Sequence, residues 1–380
     1  MIRPALAVLA AVGALALVGA APALAQEHHG NGGHESLGGG GVVFVQTNEP
    51  GGNKIDAFDR GGDGRLSLAG TFPTGGLGGV ASPGTESDHL ASQGSLALTA
   101  DGGTLIAVNA GSDTVTSFRV HGDRLQLRSI VSSGGQFPAS VAVHGGLVYV
   151  LNSGGSGLVS GFWLHGSRLA PIAGSGRSLG LANGDPPNFL MSPGQVGFTP
   201  DGRQLLVTTK ASTSSIDVFG VGDDGRLSAS PVANPSATPV PFAFAFGAGR
   251  LVSGEAATSS VTTYVLGTGG TLSDPRSASD GQTALCWIVQ VGDVYFVSNT
   301  GSNNVSSFTV DSGGTPSLLQ AVAATTNPGP IDLATGGGYL YVETGANGTV
   351  DEFAVNADGT LGSIGTVTGL PAGIEGIAAT

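Results

Sequence analysis

Asp332, Lys210 and Glu255 are the side chains of this sequence best suited to chemistry. Desolvation would lift the Asp332 carboxyl toward the range of a general base, and Lys210 would supply a cation for a developing oxyanion. Glu255 adds a second carboxylate. Polar groups that could hold a substrate recur at matching points: Gln195, Asn109, Asn152, Asn299 and Glu343. Trp287 offers a flat wall for stacking, and His89 lies in an insertion with Glu86 and Asp88. Asn side chains with Glu255 and Asp332 are also hard oxygen donors of the kind Ca²⁺ takes. Each residue has a plainer reading. Asn at a hairpin tip serves left-handed turn geometry, an inner-strand Asp bonds backbone amides, and Trp fills a core.

Two further candidates lie apart. Cys286 is the only cysteine; it sits in the apolar run Ala284 to Val289 without a nearby His or Lys, so it reads as a small buried residue. If processing follows Ala25, the mature chain begins Gln26-Glu27-His28, and a free amine, two amides and the His28 imidazole could hold Cu²⁺ in a square plane. Cyclisation of Gln26 would destroy the amine and argues against that copper site.

These residues need elements to position them, and the stretch Gln93 to Val131 supplies the pattern. It contains four short β-branched runs, each closed by Gly, Asp or Asn, as in a four-stranded antiparallel meander. The third run recurs with its closing aromatic at Phe58, Phe118, Phe162, Phe219, Tyr264, Phe308 and Phe353, in steps of 60, 44, 57, 45, 44 and 45. A period near 45 with four strands per unit predicts an all-β, seven-bladed propeller.

Aligning the units places Ser95, Ser140, Gln195, Ala243, Trp287, Asp332 and Gly373 on inner strands around a channel mouth. The hairpins after the second strands add Asn48, Asn109, Asn152, Lys210, Glu255, Asn299 and Glu343. Blade one lacks an inner strand, and Pro371 to Ala378 resembles one, so the C-terminus should close the ring and cover an otherwise open edge. The two long steps place extra residues at Gly76 to Ser92 and Ser178 to Met191, on the face where propellers usually bind ligands. Drift in tolerant surface loops would explain them equally well.

The organisation reads as residues 1–25 a signal peptide ending Ala23-Leu24-Ala25, 26–40 a His- and Gly-rich disordered tail, and 41–380 the propeller. A secreted or otherwise extracytoplasmic protein is expected. The net charge of −13 excludes nucleic acid and anionic membrane surfaces as partners. The leader's apolar run is too short and Ala-rich for a membrane span. A monomer is expected, with stability from sheet packing and ring closure.

The segments TADGGTLIAVNAGSDTVTSF (99–118) and TPDGRQLLVTT (199–209), with the turns Asp223-Asp224-Gly225-Arg226-Leu227 and Asp358-Gly359-Thr360-Leu361, resemble the secreted branch of the lactonase-type seven-bladed propellers. That group holds 6-phosphogluconolactonase-like and carboxymuconate-cyclising enzymes, and the resemblance covers residues 41–380. It implies opening or closing of a lactone ring. The family's inner strands carry basic Pro-Arg-His or Cys-His signatures, whereas here Gln93-Gly94-Ser95 and Pro193-Gly194-Gln195 stand in those places. Two functions follow as expectations. One is a lactone or cyclic-ester hydrolase at the channel mouth. The other is a non-catalytic propeller that binds a small lactone-like or sugar-like ligand or an extracellular protein.

Overall fold

The computed structural model describes residues 40–82 and 86–380; the proposed signal peptide, the His-rich tail through residue 39 and His28 lie outside them. Among the described residues the chain forms seven antiparallel blades of the expected kind. Blade two is representative: Leu96–Leu98, Thr104–Asn109, Thr114–His121 and Arg124–Ser132, in sequence order from the inside outward. Helix among these residues is confined to single turns at Ala110–Ser112 and Lys210–Thr213. None is long and apolar enough to cross a membrane.

The ring closes as the sequence predicts. Ile377–Ala379 lies against Val42–Gln46, with Val45 opposite Ile377 and Val43 opposite Ala379. The register differs from the sequence alignment, which began the strand at Pro371 and put Gly373 on the inner ring. Gly373 has a φ of +75° in a turn before the strand, and the closing residues lie about three positions later. The inner-ring position thereby passes to Glu375 and Gly376. Asp332 is therefore not the sole carboxylate there.

The core lies between blades. One apolar cluster joins Phe44 and Ile55 of blade one to Leu105 and Phe118 of blade two, and another joins Val43 and Val45 to Tyr341, Ile374 and Ile377 across the closure. All seven recurring aromatics are buried. The Asp-Gly turns between third and fourth strands have a junction role that explains their recurrence. Gly225 and Gly64 take φ values of +74° and +83°, which only glycine adopts cheaply. Their carbonyls accept the hydroxyls of Tyr149 and Tyr341 on the preceding blades, at 2.9 and 2.7 Å.

Blade three departs from the plan. Its outer strand is split into Arg168–Pro171 and Arg177–Ser178, both paired with Leu158–His165. The second insertion leaves from the latter piece.

Candidate functional site

The two insertions meet. Ser82 of the first pairs with Asn188 of the second, its amide donating to the Pro187 carbonyl at 2.8 Å. The first insertion then runs across the channel through Leu90 to Gln93. Leu90 N donates to Glu375 Oε2 at 2.6 Å, and the Ser92 hydroxyl donates to the Ala139 carbonyl at 2.8 Å. The Trp287 indole donates to the Ser92 carbonyl at 2.9 Å. The Gln93 amide makes a two-point contact with the backbone of Ile288, each bond 3.0 Å. One short segment thus ties blades one, three and six.

Lys210 opens the short helical turn after the second strand of blade four and is only 1 % exposed. Its ammonium donates to the carbonyls of Ala91 and Phe189 at 2.6 and 2.7 Å and to Ser192 Oγ at 2.9 Å. The rings of Phe242 and Phe189 lie 5.1 and 5.4 Å away. Burial pushes its pKa down to about 8, opposed chiefly by the charge of Asp88. The cation expected at this position is therefore present, with all three protons committed to the two insertions.

Four buried carboxyls stand within electrostatic reach of one another. Asp88 accepts the Ala91 amide at 2.7 Å and is hydrogen-bonded to Glu375; desolvation raises its pKa to about 6, against the pull of Lys210. Desolvation raises Asp332 to about 7, opposed by backbone amides. Glu343 accepts the Gly376 amide at 2.9 Å and is raised well above its usual range by burial, then by Asp332. Glu375 is raised by burial and by Asp88. The charges of Asp88 and Asp332 thus make the neighbouring carboxyls harder to ionise, and their titrations are linked.

Beside Lys210 opens a cavity of about 490 Å³, within the range that takes small organic ligands. Phe189, Leu190, Val240, Phe242, Trp287 and Cys286 give it apolar walls, and Asp88 and Lys210 are set into one side. Leu190, 56 % exposed, stands at its rim. Trp287 is fully buried with its ring 4.7 Å from that of Phe242. Burial pushes the Cys286 thiol up, so it is an inert wall residue.

The remaining candidates are spread through the blades. Glu255 is buried in blade five, accepting from Ser236 Oγ at 2.8 Å and Tyr264 OH at 3.2 Å; desolvation raises it to about 8. Its neighbours are hydroxyls, and it does not join the Lys210 cluster. Gln195 Oε1 accepts the Phe244 amide at 2.6 Å, linking blades four and five. Asn109 donates to Thr114 and Thr116 and accepts from Asn53 of blade one, Asn152 donates to Ser160 and to the Ser133 carbonyl, and Asn299 donates to Asn304 and Ser306. His89 is packed against Gly373, and burial lowers its pKa. Among the described residues no three His, Cys, Asp or Glu side chains converge as a metal site.

Sequence reasoning reached Lys210, Trp287 and Asp332, placed Asp88 only beside Glu86 and His89 as an acid-base or metal corner, and did not single out Glu375. The shared small-apolar pattern of Leu96-Ala97 and Ile377-Ala378 could have located the closing strand and, with it, Glu375.

No protein-family profile and no curated protein matches the chain. Solved structures share its fold. A candidate 6-phosphogluconolactonase of Bacteroides fragilis superposes with a TM-score of 0.69 at 18% identity, over 91% of this chain and 99% of its own. The periplasmic gluconolactonase of Pseudomonas aeruginosa gives 0.70 at 18%, over 90% and 99%. Apo AztD of Citrobacter koseri gives 0.54 at 10%, over 90% and 98%. The fold neighbours thus include lactonase-type seven-bladed propellers; at these identities the likeness is one of fold.

Proposed function

We propose that the protein is an exported hydrolase of lactones or similar cyclic esters, acting in the cavity beside Lys210. The observation that carries this reading is the pairing of Asp88 with Lys210 in the wall of a largely apolar cavity. A carboxyl raised to about 6 is ionised at neutral pH yet basic enough to take a proton from water. The water oxygen then bonds to the lactone carbonyl carbon, and the carbonyl electrons move to oxygen. Lys210 stabilises that oxyanion through its buried charge, because its protons already serve Ala91, Phe189 and Ser192. Collapse breaks the ring C–O bond, Asp88 returns the proton to the departing ring oxygen, and a hydroxy acid leaves. Asp332 has a subsidiary role, as a neighbouring proton store that feels the Asp88 charge. The gluconolactonase among the fold neighbours supports the same reaction class.

The test is a pH-stat assay of the mature protein on γ- and δ-lactones, in which base uptake above the spontaneous rate is expected and none contradicts the reading. Export is tested by mass spectrometry of the N-terminus from secreted material, which should begin at Gln26. One observation favours binding without turnover: Lys210 and Asp88 also pin the insertions in place. Saturable quenching of Trp287 fluorescence by lactones that are never opened would select that alternative.

A further inference from the structure

We propose that the cavity selects an apolar lactone, one bearing an alkyl or aryl substituent, over a polyhydroxylated or phosphorylated sugar lactone. This deepens the hydrolase reading and rests on it. The argument begins with what a sugar would need. Each buried hydroxyl requires a partner, and an unpaired one costs more than its burial gains. The walls contributed by Phe189, Leu190, Val240, Phe242, Ala284 and Trp287 present hydrocarbon to the cavity. The polar side chains that reach it are few: Asp88 and Lys210 with the bonds given above, Ser87, and two that are engaged elsewhere. Thr300 donates to the Pro330 carbonyl at 2.8 Å, and the Trp287 indole N–H is spent on Ser92.

A phosphate fares worse. Among the described residues no Arg or His lines this cavity, and the one Lys has its three protons on Ala91, Phe189 and Ser192. Asp88 beside it, with Glu375 behind, offsets the positive charge that would attract an anion. The exposed Leu190 side chain at the rim carries the apolar surface outward and gives a substituent longer than the ring a place to lie.

The experiment measures kcat/KM for δ-lactones with alkyl tails of increasing length, beside glucono-δ-lactone and its 6-phosphate. The same lactones are titrated against Trp163→Phe protein, in which Trp287 is the remaining indole. The expected result is a rise of up to about fourfold per methylene until the cavity is filled, with both sugar lactones far below, and a flattened series in Leu190→Asp. A flat wild-type series, or a preference for either sugar lactone, overturns the proposal while leaving the hydrolase reading standing. If no lactone is opened, the hydrolase reading fails. The titration then decides for the apolar cavity: affinity rising with tail length upholds apolar selection, and absent or length-independent quenching overturns it.

Discussion

The Lys210 ammonium donates to the carbonyl of Ala91 at 2.6 Å, across 119 residues of sequence. A cation on the hairpin of blade four therefore holds the end of an insertion that leaves blade one. The Phe189 carbonyl of the second insertion accepts from the same nitrogen. Taking an ammonium out of water is expensive, and here three acceptors, two aromatic faces and the Asp88–Glu375 pair offset that cost. The wall of the cavity is thus built by the same contacts that hold the two insertions together.

Replacing Lys210 by Met should therefore do more than remove a charge. It takes the donor from the Ala91 carbonyl, leaves Phe189 with the Ser192 hydroxyl alone, and removes the cation from Asp88 and Glu375, a loss of about 3–5 kcal/mol in unfolding free energy. Urea denaturation followed by tryptophan fluorescence measures it. A change within experimental error would mean that the insertions are held by other contacts.

Stability should fall as the pH rises from acid to neutral. Asp332 and Asp88 titrate near 3.8 when unfolded but at about 7 and 6 when folded, and Glu255 moves from 4.5 to about 8. With folded values raised, the folded state binds more protons between the two limits, so the contribution is complete below pH 4 and lost on rising through the folded values. Lys210, lowered from 10.5 to about 8, acts above that window, where stability regains ground as pH climbs toward 10. Melting temperatures at pH 4.5, 6 and 8 should decline in that order; a rise from 4.5 to 8 would contradict the burial of these acids.

Deleting residues 374–380 should open the ring. The deletion strips the pairing from Val42–Gln46, removes Ile374 and Ile377 from the closing cluster, and takes the Glu375 carboxylate from Leu90 and Ser92. An uncovered strand edge of five apolar or amide residues invites pairing with other chains. Light scattering should report self-association and calorimetry a lower melting temperature. A monomeric variant that melts like the full chain would show that the closing strand is dispensable.

Much of the architecture was legible because its signals are local. Phe58, Phe118 and their counterparts keep one place in each repeat, and every one is buried at a blade junction as the period requires. Turn residues such as Gly225 carry their backbone requirement in their identity. The closing strand was identified, but its register was not, since that depends on pairing with Val42–Gln46 at the other end of the chain. The site was the least legible part. Asp88, Ala91 and Phe189 lie in insertions that have no copy elsewhere in the chain to align with. Lys210 could be chosen for its charge, but nothing local in the sequence says that its protons are already taken. The Asn residues at hairpin tips looked like ligand donors because their turn role and a binding role use the same amide; the structure shows Asn109, Asn152 and Asn299 bonded to their own blades, and Asn109 and Asn152 also to the preceding one.

The most direct test of the proposed chemistry is kcat/KM for lactone opening from pH 5 to 9 in wild type and Asp88→Asn. Wild type should follow a bell, rising through about 6 as Asp88 ionises and falling above about 8 as Lys210 loses its proton. Asp88→Asn should lose at least about a hundredfold and the acid limb with it. Full activity in that variant, with the same acid limb, would show that Asp88 is not the base.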